Sequence, residues 1–364
     1  MKVFLKTIDF YNNIGYNIDI DFCIAFLKEM KRMSSKITIY DVARKADVSL
    51  ATVSRVLNNP TRVKEKTRNR VLEVIKELGY RPNAIARGLA SRRSTNIGLI
   101  VPTLSRASIS KMTNGIADIA DKYRYSVFLN VTHNESELQT DSWENMVASQ
   151  VDGVLLASDQ MGEDQVDRLL NETVPTVLLG FRDSQDRVPA VLIDYEEAAY
   201  EATKKLIENG NKDIAFLTAA EELETNPEKE AGYTKALEEA GLKPRVLKFT
   251  NKFETSLEEF KNFFATEKAP EAALAIRDSM AIGFMNAAIE SGLSVPDDIE
   301  IIGFQNTQYA LMSRPQLSTV VVPTYEIGAV AMRLLTKLMN KEEEEVEEEV
   351  VILPHSIVWR GTTK

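Results

Sequence analysis

The chain has 364 residues, of which 44% are apolar and 27% charged, a composition typical of a folded protein too long for one hydrophobic core. It contains no uninterrupted apolar run of about 18 residues, so the sequence predicts neither a membrane-spanning helix nor a membrane partner. Its single cysteine, Cys23, excludes an intramolecular disulfide and favours the cytoplasm.

Charge is distributed unevenly along the chain. Residues 34–93 contain 14 Lys and Arg against 5 Asp and Glu, a net charge of +9, whereas residues 94–364 carry a net charge of −20. A basic segment joined to an acidic body is typical of a nucleic-acid-binding module fused to a second domain. Basic charge alone is weak evidence, so the local fold of the basic segment has to support this interpretation.

Residues 1–33 differ from the rest of the chain. Acidic residues interrupt the apolar stretches of this segment, and it has no small-residue cleavage site, which argues against a secretory signal. Met33 directly precedes the sequence SSKITIYDVA, where a compact domain would naturally begin. We therefore expect residues 1–33 to be a non-native or disordered extension; a genuine N-terminal arm is the alternative, and the intact mass of the native protein separates the two.

Residues 38–58, TIYDVARKADVSLATVSRVLN, have the pattern of two short helices joined by a tight turn. Thr38 and Ser49 are good N-cap residues, and apolar residues follow each of them at helical spacing. This pattern predicts a helix-turn-helix, whose second helix lies in the DNA major groove. The alternative is a helical hairpin inside a larger core, but Thr52, Ser54 and Arg55 would leave a polar face in that core.

Two further helical segments follow. In the segment 67–80, TRNRVLEVIKELGY, the residues Val71, Val74, Ile75 and Leu78 form one apolar stripe, and Gly79 ends the helix. We expect this third helix to pack on the first two, with Arg68 and Arg70 near phosphates. Residues 81–94 predict a short helix beginning at Pro82, which is marginal alone and suits a hinge that orders when two copies meet on DNA.

The body, residues 95–364, alternates between short apolar strands and amphipathic helices. The predicted strands are Ile97–Val101, Val127–Val131, Gly153–Leu156, Thr176–Leu179, Val191–Ile193, Ile214–Leu217, Val246–Phe249, Ala273–Ile276, Glu300–Phe304 and Val350–Leu353. The predicted helices include Glu196–Glu208, Glu228–Ala240, Ser256–Ala265 and Met280–Ser291. This alternation predicts an α/β fold with parallel sheets covered by helices, in two similar subdomains.

The segment 324–340, TYEIGAVAMRLLTKLMN, is amphipathic, with one apolar stripe that includes Ile327 and Leu334. We expect Tyr325, Ala329, Met332 and Thr336 to lie away from that stripe. Arg333 and Lys337 are one helical turn apart, so their like charges repel unless an anion lies between them. An exposed Tyr and Met beside two cations would suit a protein partner that carries a phosphate; the alternative is a solvated helix face.

These segments, together with NIGLIVP, VDGVLLAS, PDDIEIIGF and RPQLSTVVVPTYEIGAVAMRLLTK, resemble the LacI/GalR family of bacterial repressors over residues 34–364. The resemblance implies a helix-turn-helix domain (34–80), a hinge (81–94) and a two-lobed, periplasmic-binding-protein-like body (95–364). The lobes would comprise residues 95–193 with 323–341, and 194–322 with 342–364. The implied function is repression of transcription by a homodimer on double-stranded, pseudo-palindromic operator DNA.

The resemblance also implies roles in DNA binding. Leu50, Ala51 and Arg55 would read bases in the major groove, Arg as the best bidentate reader of guanine. Other groups would position the phosphates or form the hinge; these are Thr38, Tyr40, Ser49, Thr52, Asn58, Asn83 and Ala86. Leu89 would wedge a base step in the minor groove, or alternatively pack on its own body domain.

A small-molecule effector would occupy the cleft between the lobes, at the carboxyl ends of strands. Here Gln305 replaces the Asp with which sugar-binding relatives hold their ligand, and the loop 219–226 has acids but no Arg. Because unpaired buried polar groups cost about 1–3 kcal/mol, a tight sugar site is not predicted. Arg182 and Asp278 are further cleft candidates, each with a structural or solvated role as the alternative.

Within the family, the resemblance is to catabolite regulators of low-GC Gram-positive bacteria. It implies as partner the phosphocarrier HPr phosphorylated on its regulatory serine, with Arg333 and Lys337 at the phosphate and Tyr325 and Glu326 at contact positions. Glu326 replaces the usual Asp. A repressor gated by a small molecule in the cleft is the alternative function.

The sequence has no Gly-rich phosphate loop, no nucleophile motif and no metal-ligand pattern around His133 or His355. It therefore predicts a protein that is not an enzyme and that needs no cofactor or metal.

Overall fold

The computed structural model describes residues 37–80, 93–133, 136–158, 161–220, 225–250, 253–340 and 350–364. Residues 1–36 and 81–92 lie outside these ranges, so the predictions for the N-terminal extension and the hinge have no structural counterpart here. The chain divides between Arg92 and Arg93 into two compact units.

The described part of the first unit, residues 37–80, contains three helices, which are α1 (Ile39–Ala46), α2 (Leu50–Asn58) and α3 (Glu65–Leu78), with a 3-10 turn at Pro60–Arg62 before α3. They pack around a small aliphatic core that includes Val42, Ala46, Val53 and Val71. Gly79 ends α3 in the left-handed conformation, with φ of 64°, as the sequence predicts.

The second unit, as far as its residues are described, contains two six-stranded sheets. In the first sheet the strands follow the order β11-β5-β4-β3-β1-β2, and every neighbouring pair is parallel. Its strands are β1 (Asn96–Val101), β2 (Ser126–Val131), β3 (Gly153–Leu156), β4 (Thr176–Leu179), β5 (Ala190–Ile193) and β11 (Val350–Leu353). Strands β3, β4 and β5 are buried along their whole length, because helices cover both faces of the sheet.

The second sheet has the order β12-β10-β9-β8-β6-β7, parallel except for the antiparallel pair β10 and β12. Its strands are β6 (Ile214–Ala219), β7 (Arg245–Phe249), β8 (Ala272–Ala275), β9 (Glu300–Phe304), β10 (Ser318–Val321) and β12 (Ser356–Val358). The predicted α/β class with parallel sheets is confirmed. We call the regions built on the first and second sheets the N-lobe and the C-lobe.

Nine helices surround the sheets within the described part of this unit. They are α4 (Ala107–Tyr123), α5 (Ser136–Ala148), α6 (Glu163–Asn171), α7 (Tyr195–Glu208), α8 (Asn226–Glu239), α9 (Phe253–Thr266), α10 (Asp278–Glu290), α11 (Gln308–Met312) and α12 (Thr324–Asn340). Helix α12 packs on β3, β4 and β5 with one side and on α4 with the other.

The chain passes between the lobes at Asp194, after β5, and at 322–323, after β10, as predicted. The third crossing was expected near Lys341, with residues 342–364 in the C-lobe, and this was wrong. Strand β11 pairs with β5 in the N-lobe sheet, and β12 pairs with β10 in the C-lobe sheet. The third crossing therefore lies at Pro354–His355.

Candidate nucleic-acid interface and partner surface

Capping interactions define the start of both helices in the helix-turn-helix. The backbone N–H and the hydroxyl of Thr38 both donate to Asp41 Oδ2, at 3.0 and 2.7 Å, and these hydrogen bonds hold the pKa of Asp41 below its ordinary value. Asp47 ends α1 with φ of 51°, and Ser49 Oγ accepts a hydrogen bond from the backbone N–H of Thr52. The turn and the two caps orient α2 relative to α1.

The predicted base-reading residues share the exposed side of α2. Val53 and Val56 are buried in the core of the unit, whereas Leu50, Ala51 and Arg55 are exposed. The helical period places these three side chains away from the two valines, with Leu50 and Ala51 in the first turn of the helix and Arg55 in its last turn. This is the arrangement that a recognition helix requires.

The remaining predicted DNA contacts differ in how the structure places them. Tyr40 is 64% exposed, and the hydroxyls of Ser49 and Thr52 lie 2.9 Å apart within the N-cap. Arg68 donates to the carbonyl of Pro60, while Arg70 lies 3.8 Å from Asp47, so both have partners in their own unit. The side chain of Asn58, as well as Asn83, Ala86 and Leu89, lies outside the described residues.

The residues of the predicted partner surface on α12 differ in their exposure. Glu326, Arg333 and Lys337 are exposed, and Tyr325 is half-buried, its hydroxyl donating to Asp118 Oδ2 of α4 at 2.8 Å. That hydrogen bond and burial raise the pKa of Tyr325.

The expectation that the second side of α12 faces solvent was wrong. Ala329, Met332 and Thr336 are all buried, and Met332 is 0% exposed. Helix α4 covers this side and approaches closely at two glycines: a Cβ on Gly115 would lie 2.1 Å from the carbonyl oxygen of Tyr325, and one on Gly328 would lie 2.2 Å from that of Met112. The exposed surface is therefore the narrow band of Glu326, Arg333 and Lys337 with the edge of Tyr325.

Asp278, a predicted cleft candidate, is buried and hydrogen-bonded within the C-lobe. It is 0% exposed, and its carboxylate accepts hydrogen bonds from the backbone and hydroxyl of Thr307 and from the hydroxyl of Thr319. Burial raises its pKa, and the hydrogen bonds oppose that rise. Asp278 thus ties α10 to the segment that follows β9 and to β10 itself.

Gln305 lies at the cleft between the lobes, directly after β9, with φ of 101°. With Thr307 and Gln308 it lines one side of a cavity of about 470 Å³, whose other side is formed by Lys111 and Asn114 of α4. Both lobes contribute amide and hydroxyl groups to the cavity, and Lys111 of the N-lobe adds an amine, so its chemistry suits a polar small molecule.

Arg182 and Glu228 meet across the cleft on its other side. Arg182 follows β4 in the N-lobe, and its Nε lies 3.4 Å from Glu228 Oε1 in the first turn of α8 in the C-lobe. The same guanidinium lies 3.5 Å from Asp186. Arg182 is thus part of an ion pair that joins the lobes.

No sequence pattern marks Lys229, a buried cation next to this ion pair. Its side chain is almost fully buried, its Nζ donates to the hydroxyl of Thr225 at 2.9 Å, and it lies 4.9 and 5.3 Å from the ring centroids of Tyr195 and Phe304. In the sequence it is an ordinary lysine in the first turn of a helix. The two rings belong to Tyr195, directly after the crossing at Asp194, and to Phe304, the last residue of β9. Only the folded structure brings them to Lys229.

Within the described ranges, no cluster of three or more His, Cys, Asp or Glu residues could hold a metal ion. Among the helices of those ranges, none has the length and apolar character needed to cross a membrane.

Comparison with known proteins decides the family. Residues 38–83 match the model of bacterial regulatory proteins of the lacI family, and residues 203–363 match that of the periplasmic binding protein-like domain. Catabolite control protein A from Priestia megaterium is 44% identical over 332 residues, which is 90% of this chain and 99% of that relative. The chain belongs to the LacI family.

Other similarities agree with this LacI-family assignment. Catabolite control protein A from Staphylococcus xylosus is 43% identical over 90% of this chain and 99% of its own length. The crystal structure of the transcription regulator CcpA of Lactococcus lactis matches with a TM-score of 0.67 and 35% identity, over 74% of this chain and 99% of that one. The lac repressor dimer bound to operator and an anti-inducer matches with a TM-score of 0.83 and 27% identity, over 90% and 99%.

These relatives are transcription regulators and not enzymes, and the same holds for this LacI-family chain. The chain is a DNA-binding transcriptional regulator of catabolite control. The resemblance to catabolite regulators, drawn from the residues alone, is confirmed.

Proposed function

We propose that this regulator acts in the cytoplasm as a homodimer on pseudo-palindromic operator DNA. The observation that carries the proposal is the exposed side of α2, where Leu50, Ala51 and Arg55 lie away from the core of the first unit. The similarity over 90% of the chain to a lac repressor dimer bound to operator supports a two-headed arrangement. Dimer symmetry would then determine the spacing of the half-sites.

The co-repressor in this proposal is HPr phosphorylated on its regulatory serine. Arg333 and Lys337 are exposed cations one turn apart on α12, and neither forms an ion pair with another described residue. A phosphate between them would make charge-assisted hydrogen bonds with both and relieve their mutual repulsion. Glu326 and the edge of Tyr325 would border that phosphate as contacts to the protein surface around it.

Partner and DNA act on the same state of the protein. Binding of phosphorylated HPr to the N-lobe would favour the arrangement of lobes in which the two hinges of the dimer come together, and that arrangement also binds operator. Linkage then requires each ligand to tighten the binding of the other by the same factor.

Calorimetry tests the partner. Phosphorylated HPr is expected to bind the wild type more tightly than unphosphorylated HPr, and the Arg333→Ala/Lys337→Ala variant is expected to lose this difference. Arg168→Ala/Lys261→Ala is the matched control, because it removes one Arg and one Lys that are exposed elsewhere on the surface. Equal affinity of the wild type for both forms of HPr would refute the phosphate-reading role.

A second candidate function rests on the cavity between Lys111 and Gln305. Its volume of about 470 Å³ and its polar lining would accommodate a sugar, a phosphosugar or a related effector. One structural neighbour is the transcriptional regulator CelR in complex with cellobiose, at 26% identity and a TM-score of 0.66. Thermal shift with sugars, purines and phosphosugars, beside both forms of HPr, separates the two: stabilisation by a small molecule alone would favour the cleft-gated repressor.

The operator itself is found by selecting bound sites from random DNA. Two half-sites related by approximate two-fold symmetry are the expected result. Enrichment of a single, asymmetric half-site would contradict the dimeric arrangement.

A further inference from the structure

The last turn of α12 meets the point where the chain enters the body from residues 81–92. Arg93, the first residue of the body unit, donates through one terminal nitrogen to Asn340 Oδ1 at 2.6 Å and through the other to the carbonyl of Met339 at 3.4 Å. Both acceptors lie at the C-terminal end of α12, where free carbonyls and the helix dipole favour a cation. The entering chain is thereby attached to the helix that carries Arg333 and Lys337.

Ser94 and Thr95, the next two residues of the entering chain, are held by Asp152. The carboxylate of Asp152, directly before β3, accepts hydrogen bonds from the backbone N–H groups of Ser94 and Thr95 and from the Ser94 hydroxyl, at 2.7 to 3.0 Å. Tyr125 adds a third support: burial raises its pKa, and a hydrogen bond with Arg93 opposes that rise. The end of α12, Asp152 and Tyr125 therefore all hold this short stretch.

The same turn of α12 packs tightly on β3. A Cβ on Gly153 would lie 2.8 Å from Leu335 and 2.9 Å from the sulfur of Met339. Since a closely packed interface transmits a displacement instead of absorbing it, a shift of the end of α12 acts on β3 and on Arg93 together. Arg333 is about 10 Å from Asn340 along the helix axis, at 1.5 Å per residue.

We propose that Arg93 is a positioning residue that couples the partner surface on α12 to the DNA-binding linker. It attaches the start of the body, directly after residue 92, to the end of the helix on which the phosphoprotein docks, so that docking changes how the linker is presented to DNA. This inference rests on the function proposed above.

The decisive measurement is the factor by which serine-phosphorylated HPr tightens the binding of the full-length protein to its selected operator. For Arg93→Met we expect that factor to fall by about two- to thirty-fold, the range over which coupling residues act. The affinity for HPr without DNA, and that for DNA without HPr, are expected to stay near the wild-type values. Asn340→Ala is expected to lower the factor similarly. The double variant should lose no more than Arg93→Met alone, because Arg93→Met already removes the hydrogen bond between Arg93 and Asn340.

Arg93→Lys is the conservative variant and is expected to restore part of the factor, since one amine can donate to Asn340 but cannot span both acceptors. Arg168→Met is the control for loss of a surface arginine of the same lobe. If Arg93→Met weakens DNA binding equally with and without HPr, or weakens HPr binding itself, the coupling role is overturned. If phosphorylated HPr does not tighten operator binding by the wild type, both the proposed function and the coupling role are overturned. If it does, and Arg93→Met tightens by the same factor as the wild type, only the coupling role is overturned.

Discussion

Arg182 and Glu228 form an ion pair that joins the two lobes, with 3.4 Å between Nε and Oε1. The two residues belong to different sheets: Arg182 follows β4, and Glu228 lies in the helix after β6. Any opening of the cleft on this side has to separate them. The pair consists of the protein's own charges, so it favours approach of the lobes.

The first prediction concerns this ion pair. Arg182→Met leaves Glu228 partly buried without its guanidinium partner, and opening of the cleft would restore water to that carboxylate. Because Arg182 is 40% exposed, we expect a shift of the lobe equilibrium of only about two- to five-fold toward the open arrangement. Spin labels at Glu172→Cys and Glu267→Cys, on opposite lobes and with Cys23→Ser, would report it as a longer or broader distance distribution.

The control for that experiment is Arg168→Met, which removes an ion pair of the same 3.4 Å separation within the N-lobe. Its distance distribution is expected to match that of the unmodified labelled protein. An unchanged distribution in Arg182→Met would contradict a role of the pair in lobe closure.

The second prediction concerns the pH dependence of stability. Burial raises the pKa of Glu228, and Arg182 opposes the rise without cancelling it. The folded protein therefore binds this proton more tightly than the unfolded chain, so the ionised carboxylate lowers the free energy of unfolding above its folded-state pKa. That penalty disappears when the pH is below the pKa of this carboxyl group in the unfolded chain, which is about 4.3.

Glu228→Gln is accordingly expected to have a free energy of unfolding at pH 7 that equals or exceeds that of the wild type. The difference should shrink as the pH is lowered toward about 4.3, where both proteins carry a neutral group at this position. Urea unfolding at pH values from 7 down to that value measures it, with Glu144→Gln as the exposed control. A difference that grows on acidification would have the wrong sign.

Local features of the sequence predicted much of this structure. Thr38, Ser49 and Gly79 occupy the caps expected of them, because capping depends on residues within one turn. The buried strands were predicted for a similar reason: a run such as VDGVLLAS is apolar over a full strand, and alternation with helices then implies parallel pairing.

What the sequence left undetermined depends on contacts between distant segments. The stripe on residues 324–340 predicts one buried side, yet Met332 on the other side is also buried, because α4 packs there. The signal for that contact lies in Gly115 and Gly328, which lie more than two hundred positions apart and which periodicity does not pair. Likewise, Asp278 reads as a cleft carboxylate until Thr307 and Thr319 are seen to occupy its oxygens.

The third prediction tests the close packing of α4 on α12. Gly328→Ala places a Cβ 2.2 Å from a backbone oxygen, so the helices have to separate, at a cost of about 1–3 kcal/mol in the free energy of unfolding. The separation also moves Tyr325 away from Asp118, so the affinity for phosphorylated HPr should fall. Urea unfolding and calorimetry measure the two effects.

Gly162→Ala is the matched control for Gly328→Ala, because no heavy atom lies within 4 Å of its added Cβ. It is expected to cost clearly less stability and to leave HPr binding unchanged. A Gly328→Ala protein as stable as this control would show that the helices can yield without loss.

The fourth prediction separates base reading from phosphate contact in the helix-turn-helix domain. Arg55 is exposed on α2, and its loss in Arg55→Ala is expected to relax base preference at one operator position, by about 1–3 kcal/mol of discrimination. Arg68 lies on α3, where its guanidinium also donates to Pro60. Arg68→Ala is expected to weaken binding to all sequences alike. The slope of log affinity against log salt concentration should fall by about the amount that one phosphate contact contributes.

Titrations of the selected operator and of its single-base variants, each at several salt concentrations, measure both effects. The two variants are each other's controls, because both remove one arginine from the same basic domain. A uniform loss for Arg55→Ala across all operator variants would count against base reading by this residue. A sequence-dependent loss for Arg68→Ala would instead place that side chain, or the turn it supports at Pro60, in the recognition of bases.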